Sequence, residues 1–416
     1  MNQTEDHSAS GAAGGFEYPQ RILSDLVRPD FQSFLDLSRW AAAALVFVGH
    51  LRNPLFLGYP NLPAEDRNLI VQGWYFVTGW FGEAVIVFFV LSGFLVGGIG
   101  LAKLQSLRFD LVAYAIDRTS RLYVAFLPAL LLTVLLDHVG YAWFSDAGLY
   151  SHTQPMIAEK INTPSFNSMA TPTNFVGNLV MLQNFRVPTY GSNTPLWTIS
   201  AEFWFYFVFG LAAVLFLHRS VRAWGAVIAV GIVVCAIIGT GFPYLLGLWL
   251  IGVAVALIGR SRLERPILAL VLFVAVLVAA RLLEDTVSAF VWGQTVRDYG
   301  VAASFAYLLY SMRSARSALL ARLAGFNRFM ADFSFSLYLI HFPLLIFLSS
   351  LAFASGYFPG IATGYRPTDP EGLFLYVLIV VAVYLAAWSF SLLTERNTVQ
   401  VRRFLNSIAR AKTHNL

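Results

Sequence analysis

The feature that most constrains this chain is a series of long apolar segments, each of a length that suits a lipid bilayer. Uninterrupted apolar runs such as Leu268 to Ala280 and Leu373 to Trp388 recur along the sequence. A helix needs about 17–25 mostly apolar residues to cross a membrane. Only 12% of the 416 residues are charged, which is about half of the share in average globular proteins. A soluble fold of this size would lack polar surface, so the chain is predicted to be a polytopic membrane protein.

An α-helical bundle is the predicted fold, because lipid leaves open backbone groups without partners and no alternating strand pattern occurs. We predict about ten transmembrane helices, at residues 35–57, 74–100, 121–140, 197–217, 223–240, 244–259, 267–283, 298–312, 329–350 and 373–394. The predicted organisation is a polar tail over 1–33, a transmembrane domain over 34–396 and a basic tail over 397–416. The N-terminal tail lacks the apolar core and cleavage site of a signal peptide.

The distribution of basic residues predicts which side each loop faces. Twenty Lys and Arg residues fall in the two tails and in the loops that would share their side, against six in the opposite loops. By the positive-inside rule, both termini are predicted to be cytoplasmic, in a multi-pass protein of the inner membrane. The same clustering accounts for the net charge of +5 without a nucleic-acid partner. The sequence leaves the oligomeric state open and allows a homo-oligomer.

Three ionisable residues lie in the first predicted span. An ionisable side chain inside a span costs about 2.5–3.5 kcal/mol, so each is a functional hypothesis. Arg39 and His50 are eleven residues apart, which is about 16 Å of rise and three turns, so both lie on one helix face. Asp36, one turn before Arg39, can pair with it. The alternative interpretation, an interfacial ion pair and a hydrogen-bonded histidine, leaves the deep His50 unexplained.

Two further segments, one at the start of the third span and one in the second span, hold residues of possible functional interest. Arg118 and Arg121 are three residues apart at the start of the third span. A guanidinium pair suits phosphate recognition, although ordinary positive-inside charge is the alternative interpretation. In the second span, Ser92 and Gly93 favour close approach of helices rather than chemistry.

Later spans hold three more polar residues of interest. Glu202 lies within an aromatic run. Aromatic residues are typical of a membrane interface, whereas a carboxylate there is not expected. Tyr338 and His341 share a helix face, and a packed histidine with a structural hydrogen bond is the alternative interpretation there. The single cysteine, Cys235, excludes a disulfide framework and a multi-cysteine metal site, so no metal is predicted.

Taken together, five motifs in register resemble the acyltransferase-3 family of integral-membrane acyltransferases over about residues 34–396. The motifs are Arg39-x10-His50, Phe-Phe-Val-Leu-Ser-Gly-Phe at 88–94, Arg118-x-x-Arg121, Leu196-Trp197-x-x-Ser200-x-Glu202, and Ser336-Leu337-Tyr338-Leu339-x-His341-x-Pro343. No extracytoplasmic hydrolase-like domain follows the spans, so the chain resembles the stand-alone branch, which includes bacterial surface-polysaccharide O-acetyltransferases.

The resemblance implies transfer of an acyl group, usually acetyl from acetyl-CoA, to a hydroxyl of an extracytoplasmic glycan such as exopolysaccharide, O-antigen or a lipid-linked saccharide. It also implies that His50 is essential and that Arg118 and Arg121 help to bind coenzyme A. The predicted catalytic residues are His50, Arg39, Asp36 and Glu202. The predicted donor-binding residues are Arg118, Arg121, Ser92, Tyr338 and His341. The predicted partners are acyl-CoA, a carbohydrate or glycolipid acceptor and the lipid bilayer.

Two other classes of protein would use the same polar residues differently. A transporter or flippase of a lipid-linked sugar or polysaccharide could use the intramembrane His, Arg and Glu as a proton relay or substrate path. A structural subunit of an export complex would not need His50. Within the acyltransferase hypothesis, His50 acts either as a general base or as an acyl-histidine relay.

Overall fold

The chain folds as a helical bundle in the computed structural model. The structure describes residues 24–106, 108–153, 165–217, 220–239, 241–259, 263–284, 286 and 289–413. Within these ranges there is no β-strand, only two isolated bridges that join Phe56 to Tyr365 and Gln183 to Val187. The predicted all-α class is confirmed. Residues 1–23 of the predicted polar tail lie outside the described residues.

The helices are numbered here in chain order over the described residues. In the first part of the chain they are α1 (Pro29–Leu55), α2 (Leu69–Thr78), α3 (Phe81–Ser92), α4 (Gly98–Gln105), α5 (Leu111–Trp143), α6 (Phe166–Met169) and α7 (Pro172–Leu179). In the second part they are α8 (Trp197–Leu217), α9 (Val221–Ile238), α10 (Phe242–Leu257), α11 (Pro266–Leu282), α12 (Gly293–Met312), α13 (Ala318–Arg322), α14 (Ala324–Ala331), α15 (Ser334–Ala354), α16 (Pro370–Leu393) and α17 (Thr398–Thr413). Short 3₁₀ turns occur at Tyr59–Asn61, Ala64–Asp66, Ser145–Ala147, Thr194–Leu196, Pro359–Ala362 and Glu395–Asn397.

Each of the ten predicted spans falls on a helical stretch. In the part of the chain that the structure describes, seven stretches are long and apolar enough to cross a membrane. The helices α10 and α11 are apolar but shorter, and α12 is 20 residues long with polar residues at its start. A helical membrane bundle is therefore confirmed, and the count of ten spans stays a prediction.

Local signals in the sequence set several helix boundaries. Asp110 caps the start of α5, because its side chain accepts hydrogen bonds from the backbone N–H groups of Val112 and Ala113 at 2.8 and 3.1 Å. Asn68 caps α2 in the same way. Gly239 follows α9 with a φ of +86°, a conformation that glycine adopts at little cost.

The second predicted span, 74–100, is not one continuous helix. It consists of α2, α3, a π-helical turn at Gly93–Gly97 and α4. The π turn follows Ser92 directly, and π turns inside helices often occur at functional sites. Because the turn inserts an extra residue into the helical repeat, side chains after it point in directions that an ideal 3.6-residue period does not predict.

Glycines bring α3 and α10 into backbone contact beside this turn. A Cβ atom added to Gly93 would lie 2.0 Å from the carbonyl oxygen of Trp249, and one added to Gly252 would lie 2.0 Å from that of Val90. No side chain fits at either position. The close approach that Ser92 and Gly93 predict is therefore present, with Gly252 as the partner on α10.

The helices α1, α3 and α15 form the centre of the bundle, where α1 packs against both others and also against α14. The helix α9 packs against α8 and has few buried residues. The predicted basic tail is helical over Thr398–Thr413 as α17, which packs against α5. This placement brings residues beyond the last span next to the start of α5.

Candidate active site

A cavity with a volume of about 930 Å³ lies between α1, α3, α5, α8, α14, α15 and the segment after α16. Its wall includes six arginines, Arg39, Arg118, Arg121, Arg328, Arg396 and Arg402. Four carboxylates also line it, Asp117, Glu202, Asp332 and Glu395. The lining therefore has a surplus of two positive charges, which favours a polyanionic ligand.

Arg121 is held in the cavity wall by a carboxylate from the end of the last span. Its guanidinium donates to Glu395 at 3.0 Å. The second oxygen of Glu395 accepts hydrogen bonds from the backbone N–H and the hydroxyl of Ser336 at 3.2 and 3.0 Å. The side chain of Glu395 is only 8% exposed. It thus links α5, α15 and the turn after α16, a role that sequence reasoning left unassigned.

Arg118 shares a carboxylate with the C-terminal helix. One oxygen of Asp117 accepts from Arg118, and the other accepts from Arg402 of α17 at 2.5 Å. The guanidinium carbon of Arg118 also lies 5.7 Å from the centre of the Tyr206 ring, at the distance of a cation–π contact. The buried Nε of Arg118 has no hydrogen-bond partner among the described residues. Arg118 therefore has one buried donor that the described residues leave without a partner.

Arg39 lines the cavity from α1, and its pairing with Asp36 is observed at 3.6 Å. Both side chains are about a quarter exposed, at 28% and 22%. Arg39 therefore remains accessible to a ligand in the cavity, while Asp36 contacts it from one turn away.

Glu202 and Ser92, predicted from separate motifs, contact each other across α8 and α3. The Ser92 hydroxyl donates to Oε1 of Glu202 at 2.9 Å, and the Tyr206 hydroxyl donates to the same oxygen. The indole N–H of Trp249 donates to Ser92 at 3.2 Å. Ser92 has no histidine beside it among these contacts, so the group is suited to fix the Glu202 carboxylate rather than to activate a nucleophile.

Tyr338 lies at the deep end of the cavity. Its hydroxyl accepts a hydrogen bond from Thr198 at 2.8 Å and lies 3.1 Å from the carbonyl oxygen of Pro195. Its ring packs edge-on against Phe88 at 5.7 Å and contacts the ring of His341 at 5.8 Å. Tyr338 therefore belongs to the cavity wall and also contacts His341.

His50 and His341 form a direct pair. Nδ1 of His50 lies 3.0 Å from Nε2 of His341, and the two rings are nearly parallel with centres 5.3 Å apart. His341 is fully buried and His50 partly so. Phe81 and Phe342 pack against the ring of His50 at 5.3 and 5.2 Å. The predicted donor-binding residue His341 thus lies against the predicted base rather than in the cavity lining.

The hydrogen bonds of this pair define its tautomers. Nδ1 of His341 lies 2.8 Å from the carbonyl oxygen of Tyr338 and 3.2 Å from that of Leu337. Carbonyl oxygens only accept, so Nδ1 of His341 carries a proton and Nε2 of the neutral ring is an acceptor. Nδ1 of His50 must then donate to it. Nε2 of a neutral His50 keeps an open lone pair, which is the state that a general base requires.

The structure therefore brings the predicted residues together in two groups. Six of them line the cavity, namely Arg39, Ser92, Arg118, Arg121, Glu202 and Tyr338. His50 and His341 form the pair behind Tyr338, and Asp36 contacts Arg39. The cavity residues that sequence reasoning did not assign include Asp117, Tyr206, Glu395 and Arg402.

Comparison with known proteins identifies one family. The family model described as an acyltransferase domain, Acyl_transf_3, matches residues 32–393. No curated protein and no solved structure gives a significant match. The matched region includes all nine predicted site residues and ends before Glu395 and the C-terminal helix.

Proposed function

The chain belongs to the acyltransferase-3 family of membrane acyltransferases, and we propose that it moves an acetyl group from cytoplasmic acetyl-CoA to a hydroxyl of an extracytoplasmic glycan. The observation that carries this proposal is the arginine-lined cavity of about 930 Å³. One of its lining residues, Tyr338, contacts His341, which is paired with His50. A phosphate-bearing thioester and a general base would then meet at one point in the bundle.

The charges of the cavity suit the nucleotide end of coenzyme A. Arg118 and Arg121 are one turn apart on α5, and forked guanidinium groups bind phosphate oxygens in pairs. The apolar side chains of Val85, Phe88 and Ile199 belong to the same wall. They suit the uncharged pantetheine arm, which would extend from the arginines towards Tyr338.

In the proposed reaction, His50 acts as the general base. Its open Nε2 takes the proton from the acceptor hydroxyl as the hydroxyl oxygen attacks the thioester carbonyl. The carbon–sulfur bond then breaks, and the protonated His50 returns its proton to the sulfur, so that coenzyme A leaves as the thiol and the base is regenerated. A positioned base of this kind typically contributes about 10²–10⁴ to the rate. The positive-inside distribution of charge supports donor entry from the cytoplasm and acceptor entry from the opposite side.

The acceptor class is tested by mass spectrometry of surface glycans from cells with the intact gene, without it, and with His50→Ala. We expect one glycan to lose a 42-Da acetyl mass in the deletion strain and in the variant, because removal of the base abolishes transfer. His138→Ala is a matched control, since His138 is an exposed membrane-helix histidine outside the cavity lining. Unchanged glycans in the deletion strain would contradict the proposed acceptor class. Retention of more than about a tenth of the activity by His50→Ala would exclude His50 as the main base.

A further inference from the structure

We infer that the C-terminal helix α17 supplies the binding site for the 3′-phosphate of coenzyme A, with Arg402 as its principal residue and Arg396 as the second. This inference rests on the proposed function, since it assigns one part of the proposed donor to one part of the cavity. It concerns a segment that the family match does not include, because that match ends at residue 393.

The first observation is that the segment after the last span forms one wall of the cavity. Arg396, Thr398, Val399 and Arg402 all line it, together with residues of α1, α3, α5, α8 and α15. The helix packs against α5, and the Arg402–Asp117 ion pair connects the two. A ligand in the cavity would therefore contact α17 directly.

The second observation is the arrangement of charge along the cavity. Arg121 lies one turn further into α5 than Asp117, whereas Arg402 contacts Asp117 itself. Arg402 is thus one turn nearer than Arg121 to the start of α5. Among the described residues, Arg396 forms no ion pair. Arg118 and Arg402 share a single carboxylate, that of Asp117. The positive charge of this part of the wall is therefore only partly neutralised and can attract an anionic ligand.

The covalent structure of coenzyme A matches this order. Its diphosphate is attached to the pantetheine arm, and its 3′-phosphate lies further from the thiol, on the ribose. If the thioester approaches the histidines, the diphosphate lies at the deeper arginines of α5 and the 3′-phosphate lies nearest the mouth. A phosphate monoester carries up to two charges at neutral pH, so it can interact with both Arg402 and Arg396.

The test compares two ligands that differ only in this phosphate. Isothermal titration of the full chain in nanodiscs of zwitterionic lipid would measure the Kd of coenzyme A and of dephospho-coenzyme A, which lacks the 3′-phosphate. We expect wild type to bind coenzyme A about tenfold more tightly, as for one charge-assisted contact. Arg402→Ala should lose this preference, raising the Kd of coenzyme A and leaving that of dephospho-coenzyme A unchanged.

Arg403→Ala is the matched control, because Arg403 is exposed on the same helix and does not line the cavity. It removes the same charge and should preserve the preference. Arg402→Lys keeps the positive charge but lacks the forked donors of the guanidinium group, so it should retain part of the preference for coenzyme A. If Arg402→Ala does not yield folded protein, Arg402→Lys and the exposed Arg396→Ala carry the same comparison.

The outcomes separate this inference from the proposed function. A variant that weakens both ligands equally, or neither, would overturn the 3′-phosphate assignment while wild-type binding of coenzyme A still supports the proposed function. The same result would follow if α17 bound only lipid phosphate, since that role does not discriminate between the two ligands. A wild-type protein that binds neither ligand would overturn both.

Discussion

At the scale of single residues, the orientation of His50 depends on a neutral partner. Many hydrolases orient their catalytic histidine with a carboxylate, whereas here Nε2 of His341 accepts the Nδ1 proton of His50. The backbone carbonyl of Tyr338 fixes the ring of His341 in turn. Because a carboxylate buried in the bilayer is costly, a second imidazole provides the same directional contact without another charge.

Replacement of His341 tests this positioning role. We expect His341→Ala to lower kcat by about tenfold to a hundredfold, because His50 loses the contact that selects its tautomer. The KM for acetyl-CoA should not change. His341→Gln should recover part of kcat, since its amide can donate to the Tyr338 carbonyl and accept from His50. Steady-state kinetics in membranes would measure both constants. A raised KM with unchanged kcat would instead support the donor-binding role predicted from the sequence.

Arg121 is expected to act on donor binding. A contact made equally in the ground and transition states affects KM and leaves kcat nearly constant. Arg121→Ala should therefore raise the KM for acetyl-CoA about tenfold, and excess donor should restore most of the rate. Arg222→Ala, which removes an exposed arginine outside the cavity lining, is the control in the same donor titration. A loss of kcat at constant KM would show that Arg121 does not bind the phosphates.

Residue types and spacings singled out six of the residues that line the cavity, which are Arg39, Ser92, Arg118, Arg121, Glu202 and Tyr338. The pairing of Asp36 with Arg39 was also predictable, because both lie on one helix three residues apart. Glu395 and Arg402 were not, since their partners Arg121 and Asp117 are 274 and 285 residues away in the chain. Contacts of that kind depend on how helices pack, which a single sequence does not specify.

At the scale of helices, α3 and α10 come into backbone contact beside the cavity. Gly93 and Gly252 allow the two backbones to meet next to the π turn that follows Ser92. The small residues predicted this approach, but the break of the second span into α2, α3, the π turn and α4 was not predicted. Apolar length identifies a span, whereas an inserted residue changes neither the length nor the composition appreciably.

A methyl group at Gly93 should disrupt this contact. Its Cβ would lie 2.0 Å from a backbone carbonyl oxygen, which cannot rotate away as a side chain can. Overpacking typically costs about 1–3 kcal/mol, so Gly93→Ala should lower the thermal midpoint and the yield of purified protein. Gly231→Ala is the control, because a Cβ at Gly231 meets nothing within 4 Å. Equal thermal midpoints for the two variants would contradict close packing at Gly93.

At the scale of the whole molecule, the bundle has a polar cavity at one end and a histidine pair beyond it. The cavity lies near the start of α5 and the end of α16, where the motif arginines and the C-terminal helix meet. The ten predicted spans each fall on a helical stretch, because apolar length is a local property of the sequence. Which helices become neighbours was not predictable, since every span is apolar and fits many partners equally well.

Accessibility of single cysteines tests the predicted sidedness. Cys235 is exposed on a peripheral helix, so Cys235→Ala should give a cysteine-free background at little cost in stability. In that background we expect a membrane-impermeant maleimide to label Ser355→Cys in intact spheroplasts. It should label Ser407→Cys only after permeabilisation, because the positive-inside rule predicts that α17 lies in the cytoplasm. Both serines are exposed, and labelling of both from outside would contradict this topology.

Aromatic rings surround the histidine pair, with Phe47 against His341 and with Phe81 and Phe342 against His50. Any group that deprotonates a sugar hydroxyl can also deprotonate water, and the thioester would then be hydrolysed without product. Rings on several sides limit the space for water beside the proposed base, which would slow hydrolysis of the thioester. The enzyme should accordingly be a poor thioesterase when no acceptor is present. This packing of aromatic rings would thus spare the cell a futile cycle that drains its activated acyl groups.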